Sequence, residues 1–134
     1  VELENLTSGR RLPFAHCRET FSGPTFGRFS FSQSTIDEAN RYLRALRALS
    51  LDLLVIDEIG PLECMQGEGL QAVWPLLAAQ SYRTAIVAVR PRLVPVLRDR
   101  LGEMIQSVLY AGQVAPQQLW AQCRRWADLA GEER

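Results

Sequence analysis

Leu53-Leu54-Val55-Ile56-Asp57-Glu58-Ile59-Gly60 is the stretch on which the fold of this chain turns. With Leu51 ahead of it, the apolar run extends from Leu51 to Ile59 and is interrupted only by Asp52 before the two carboxylates. Such a run predicts a central parallel strand covered on both faces by helices. The carboxyl ends of strands are where open parallel sheets place their chemistry. Neighbouring side chains on a strand point to opposite faces, so Asp57 and Glu58 are expected to do different work. The Gly60-Pro61 turn leads to Glu63, which puts three acids within seven residues. A strand that simply ends in solvated acids is the plain alternative.

Outward from this strand, the pattern alternates. Upstream, Ile36, Ala39, Leu43, Leu46 and Leu49 recur at helical spacing, with Arg41, Arg44 and Arg47 on the opposite side. Thr35-Ile36-Asp37-Glu38 reads as a capping box with Thr35 as N-cap. Further upstream, Val1–Leu6 and Arg10–Cys17 read as the arms of a hairpin turning at Thr7-Ser8-Gly9, with Pro13 assigning the second arm to an edge or a bulge. Phe21–Gly27 reads as loop, and Arg28–Ser32 as an edge strand with Phe29 and Phe31 on one face. Downstream, Glu68–Gln80 is helical in pattern through Leu70, Val73, Trp74 and Leu77, with Pro75 expected to kink it. Thr84–Val89 reads as a second buried strand, Pro91 opens a helix with Val94, Leu97 and Leu101 on its apolar face, and Ile105–Tyr110 reads as a third strand. A last helix follows Pro116, with Leu119, Cys123, Trp126 and Ala130 on one stripe. The expectation is one three-layer α/β domain over residues 1–130, with antiparallel additions at one side and a polar, frayed end at 131–134.

Size and charge narrow the function classes. The 134 residues suffice for one domain with its own core. Fifteen Arg and fifteen acidic residues cancel, so the chain carries no strong nucleic-acid signal. There is no Lys at all. Cys17, Cys64 and Cys123 are far apart and form no CxxC pair, and His16 is the only histidine, which leaves no zinc set at the usual spacing. His16 beside Cys17 makes no nucleophile–base pair, because adjacent strand residues point apart, and His16 is expected at the surface or hydrogen-bonded. Trp74, Trp120 and Trp126 sit at helical spacings and are expected to pack. Scattered thiols suit a reducing compartment, no run is long enough to span a membrane, and Val1-Glu2-Leu3-Glu4 is no signal peptide, so the cytoplasm is the expected location. A chain opening on Val1 rather than Met fits a processed product or a piece of something longer.

Val55-Ile56-Asp57-Glu58-Ile59-Gly60-Pro61-Leu62-Glu63 resembles the Walker B segment of the thermophile-type nucleoside-triphosphatase family, small P-loop proteins in which a hydrophobic run is followed by Asp-Glu-Ile-Gly and then a Met-Glu or Leu-Glu pair. Ser8-Gly9-Arg10-Arg11-Leu12-Pro13-Phe14 is similar to the family's Gly-Arg-Arg-x-Gly-Phe hairpin, with Pro13 in place of Gly. Phe26-Gly27-Arg28-Phe29-Ser30-Phe31 is similar to its Val-Gly-x-Tyr-x-Val strand, and Glu38 falls where an acidic helix start is usual. The resemblance runs over residues 1–110. After that, Tyr110-Ala111-Gly112-Gln113-Val114-Ala115 stands where the family has an Asn-Arg-Asp-like segment.

The resemblance implies a P-loop-type parallel sheet that is incomplete at the N-terminus, lacking its first strand, phosphate-binding loop and first helix. It implies Asp57 as the Mg²⁺-associated carboxylate and Glu58 as general base. Arg90 and Arg92 flank Pro91 at the carboxyl end of the second buried strand, on the same edge as Asp57. One of them, with Arg90 as the candidate, is expected to stabilise phosphoryl charge, and surface arginines at a helix start are the plain alternative. Arg10 and Arg11 are implied as contacts to phosphate or base, with a solvated hairpin as the plain alternative. Glu63 is a third candidate, for a nucleotide sugar, a cation or a nearby backbone group. No glycine begins the GxxxxGK[ST] loop that cradles phosphates, and without Lys it cannot exist here. The missing loop is expected from another segment or chain, or is lost through shortening, or is absent because the fold was rearranged and activity lost. The leading expectation is the Walker B part of a Mg²⁺-dependent ATP- or GTP-hydrolysing enzyme, inactive alone. Its expected partners are the nucleotide with a missing N-terminal segment, a second chain or further copies of itself. A non-catalytic nucleotide-binding or protein-interaction domain on the same scaffold is the alternative, and a purely structural module the third.

Overall fold

In a computed structural model, which describes the backbone of residues 1–132 and the side chains up to Trp126, the chain is a mixed α/β domain with several sheets. The expected hairpin forms: β1 (Glu2–Asn5) pairs antiparallel with β2 (Arg10–Pro13). Asn5 Oδ1 accepts from the amides of Thr7 and Ser8 and so shapes the turn. Three short strands follow, β3 (Ala15–His16), β4 (Thr25–Phe26) and β5 (Phe29–Phe31). Here β5 is the middle strand, between β3 and β4, so the Phe29–Phe31 segment is not an edge as its sequence suggested. Its Phe31 ring meets Phe14 edge-on at 5.4 Å.

Helix α1 (Gln33–Leu46) begins earlier than the capping box implied. Ser32 is the N-cap and its Oγ accepts from the Thr35 amide, while Thr35 is buried and its Oγ1 donates to the Pro13 carbonyl. The hydroxyl chosen as cap on sequence grounds is thus used to tie the helix to β2. Strand β6 (Leu51–Ile59) has the predicted limits, and β7 (Tyr82–Val89) pairs with it in parallel. The face bearing Leu54, Ile56, Ala85 and Val87 packs into the core, where Leu43 and Leu46 of α1 meet Val73, Leu76, Leu77, Leu93 and Leu97.

Two expectations about this sheet are corrected. Among the described residues the parallel sheet has two strands, because Ile105–Tyr110 is an unpaired connection: Ile105 and Tyr110 have extended dihedrals, yet the segment joins no ladder. Its apolar pattern is broken by exposed Gln106 and Ser107. Nor is β6 covered on both faces. Leu53 and Val55 are 49% and 59% exposed, since the helical packing covers the opposite face, and among the described residues β6 is paired along one edge only.

Helix α2 is short (Val73–Ala78), and Pro75 lies in its first turn. It therefore kinks nothing, because the first turn of a helix has no preceding carbonyl for the proline ring to strike. Upstream of it, Leu62–Gln66 forms a π-helical turn that ends at Gly67 in the left-handed region, and Gly69 is also left-handed. After β7, a 3₁₀ turn (Pro91–Leu93) leads into α3 (Val94–Leu101), whose Val94 and Leu97 are buried as expected. The last helix, α4 (Pro116–Glu132), lies against β7. Its Leu119, Cys123 and Trp126 are half-buried, but Trp120 is exposed, with Arg124 over its ring at 5.7 Å, and does not pack as predicted. The Ala130 side chain and residues 133–134 of the expected polar end lie outside the described residues, while 131–132 belong to α4. Among the described residues no helix is long and apolar enough to cross a membrane.

Asn40 joins α1 to the loop before α2. Its Nδ2 donates to the Gly69 carbonyl at 2.9 Å and its Oδ1 accepts from the Ala72 amide at 2.8 Å, all in a buried setting. Asn40→Ala leaves a buried carbonyl and a buried amide without partners, which should cost about 3 kcal/mol of stability. Urea denaturation of the variant checks this, and an unchanged midpoint would show that the loop is held by other contacts.

Candidate functional site

The parallel register brings the ends of β6 and β7 together, with Asp57 opposite Ala88 and Ile59 opposite Val89 across a register shift. The Asp57–Glu58 peptide is cis. Arg90 is the first residue beyond β7, and its Nη2 donates to Glu58 Oε1 at 3.1 Å. Asp57 is exposed at the same strand end. Two of the predicted catalytic residues, Glu58 and Arg90, are thus in contact although 32 positions apart in the chain.

Glu63 takes another role. It is 8% exposed and its carboxylate accepts from the Gly60 amide at 3.1 Å and the Leu70 amide at 2.8 Å. Of the alternatives open for this residue, the backbone group is the one it meets. A buried carboxylate needs such donors, since removing it from water without them is prohibitive. Gly69 makes the approach possible: a Cβ there would run into Glu63 Oε1. Glu63 thereby closes the loop from Gly60 to Leu70 and fixes the backbone that leaves the acidic pair. A Cβ at Gly60 would lie 3.4 Å from Glu63 Oε2 and 3.9 Å from Glu58 Oε1, so the two carboxylates flank the same glycine.

Arg10 and Arg11 have carboxylate partners outside the strand-end set. Arg10 Nη1 bonds Glu38 Oε1 of α1 at 2.7 Å, and Arg11 pairs across the hairpin with Glu4 at 3.2 Å. His16 is hydrogen-bonded, its Nδ1 accepting from the amides of Arg18 and Glu19. Open hollows of about 440 and 480 Å³ are lined by Arg47, Ser81 and Arg83 and by Arg98, Gln106 and Tyr110 respectively, and neither includes Asp57, Glu58 or Arg90. Asp57, Glu58 and Arg90 are all exposed, so the strand end is a surface site. Among the described residues no group of three or more His, Cys, Asp or Glu is placed to hold a metal ion.

Asn40 is the residue that reading the sequence missed. It sits four positions after Ile36, on the apolar stripe of α1, and a lone amide on such a stripe is the available signal of a buried polar bridge. Comparison with protein-family models, curated proteins and solved structures finds no match to this chain.

Cys64 follows Glu63 into the core. Burial, and then the Glu63 charge, push its thiol above the ordinary thiol range, with Arg100 opposing; burial pushes the Tyr82 hydroxyl up as well. Both groups favour the proton-bound form in the folded chain. Their contribution to stability is full below the unfolded-state values and is lost as pH rises through the folded ones. The melting temperature should fall from pH 8 into the alkaline range, and less steeply in Cys64→Ala; equal slopes would remove Cys64 as a cause. Glu63→Ala should cost about 3 kcal/mol, since it strands two amides. Glu63→Gln should fall between it and the parent in chemical denaturation, because an amide side chain keeps one acceptor.

Proposed function

We propose that this chain is the Walker B-containing part of a Mg²⁺-dependent nucleoside triphosphatase, converting ATP or GTP to the diphosphate and phosphate once a phosphate-binding loop from outside these 134 residues completes the site. The observation that carries this reading is the acidic pair at the carboxyl end of a parallel strand, with an arginine from the neighbouring strand end on one of the two acids. The finer fold reading, a three-layer P-loop-type sheet, goes with it: the edges of β6 and β7 that face away from each other are where further strands would join.

Within this reading the residues divide the work. Asp57 suits a Mg²⁺ ion that arrives with the nucleotide, because such ions keep several waters and use one or two carboxylates plus phosphate oxygens instead of an all-protein cage. The bound ion would neutralise charge on the phosphate oxygens. Glu58 orients the attacking water and accepts its proton. Arg90 stabilises the charge that develops on the transferring phosphoryl group. Glu63 acts through the backbone, and Arg10 and Arg11 contact the nucleotide only by exchanging their present carboxylate partners for it. A cytoplasmic setting accords with the unpaired thiols.

A second reading, a non-catalytic nucleotide-binding or protein-interaction domain, is favoured by one observation. Leu53 and Val55 form an exposed apolar step on β6, a surface that another segment, a second chain or a further copy would cover. The full-length gene product separates the two. Glu58→Gln should lower ATP or GTP turnover by roughly 100-fold or more with little change in KM, the signature of a lost general base. Unchanged turnover in that variant would remove Glu58 from the chemistry. Nucleotide binding without turnover in the parent protein would favour the second reading.

A further inference from the structure

At the strand end, the proposed base and the proposed phosphate-stabilising cation are bonded to each other. Arg90 Nη2 donates to Glu58 Oε1, so in this arrangement Glu58 has one oxygen committed to a guanidinium and Arg90 has one donor withheld from phosphate. The two side chains are 48% and 41% exposed, in the order Arg90 and Glu58, which makes the pair exchangeable. A second ion pair, Arg83 with Asp52, joins the same strands near their amino ends at 2.7 Å, with the guanidinium 26% and the carboxylate 82% exposed. The parallel ladder from Leu51 to Ile59 already joins β6 to β7, so neither ion pair is needed to hold the strands together. The carboxyl-end pair is longer, 3.1 Å against 2.7 Å, and shares its strand end with Asp57.

We propose that Glu58 and Arg90 form a latch released by a polyphosphate anion. Resting on the triphosphatase reading, the proposal adds the order of events. Without ligand, Arg90 is held by Glu58. A phosphate group offers the guanidinium several oxygens in a geometry that matches its fork, and takes it over. Arg90 then lies on the ligand, and Glu58 is left with both oxygens open to a water molecule. The proton acceptor is thereby exposed only when phosphate is present.

Tripolyphosphate titrated into the full chain tests this without requiring turnover. The side-chain N–H signals of Arg90, assigned by their loss in Arg90→Gln, should shift on addition of the anion. Glu58→Gln should tighten binding roughly two- to fivefold, the worth of an exposed ion pair that no longer competes. Arg90→Gln should weaken binding, and in the Arg90→Gln background the further change Glu58→Gln should have no effect. Persistence of the gain in that background would mean that removing a negative charge acts generally, and would overturn the latch. Arg90 signals that stay in place at millimolar tripolyphosphate would overturn it too. Loss of turnover control by Glu58 in the full-length protein would instead remove the catalytic reading while leaving an anion exchange seen here intact.

Discussion

Parallel pairing of β6 with β7 is the constraint from which the rest of the structure follows. Parallel neighbours cannot be joined by a tight turn, so the chain must leave the carboxyl end of β6, cross a face of the sheet and return to the amino end of β7. The crossover contains little regular helix, since α2 has six residues. Side chains compensate. Glu63 holds the amides of Gly60 and Leu70, Asn40 holds the Gly69 carbonyl and the Ala72 amide, and two left-handed glycines turn the chain between them. The same pairing sets Arg90 beside Glu58, because residues that end adjacent parallel strands must emerge on the same edge.

Three carboxylates within one short stretch meet three environments. Asp57 is exposed, Glu58 is bonded to an arginine, and Glu63 is buried on backbone amides. What separates them is the donor each one reaches. A buried carboxylate with two amide donors contributes to the fold, whereas a half-exposed one with a single guanidinium partner can exchange it. This difference is why Glu63 belongs to the scaffold of the strand end while Glu58 keeps a partner it can exchange.

Much of the architecture was legible in local pattern. The apolar run placed β6 to the residue, the turn residues placed the hairpin, and helical spacing placed α1, α3 and α4. Misreadings came where one local signal had two uses. Thr35 looked like a cap but serves as a tertiary donor to Pro13, and Pro75 looked like a kink but opens a helix. Ile105–Tyr110 has strand-like residues without a neighbouring strand to pair with. Of the candidate site, the acidic pair and Arg90 were visible as residues at strand ends. Their contact, and the separate pairings of Arg10 with Glu38 and Arg11 with Glu4, were not.

By itself the sequence determined the hairpin, β6, β7 and the helices α1, α3 and α4, and which charged groups stand at the ends of β6 and β7, because periodicity and turn chemistry act over a few neighbouring residues. Only the tertiary structure decided the partner of each charge and the face of β6 that remains open. Those outcomes depend on groups far apart in the chain, Glu58 with Arg90 and Asn40 with Ala72, and on which face of the strand the helices cover. An apolar run is the same string of letters whether one face or both are buried, so the exposure of Leu53 and Val55 had no signature in it.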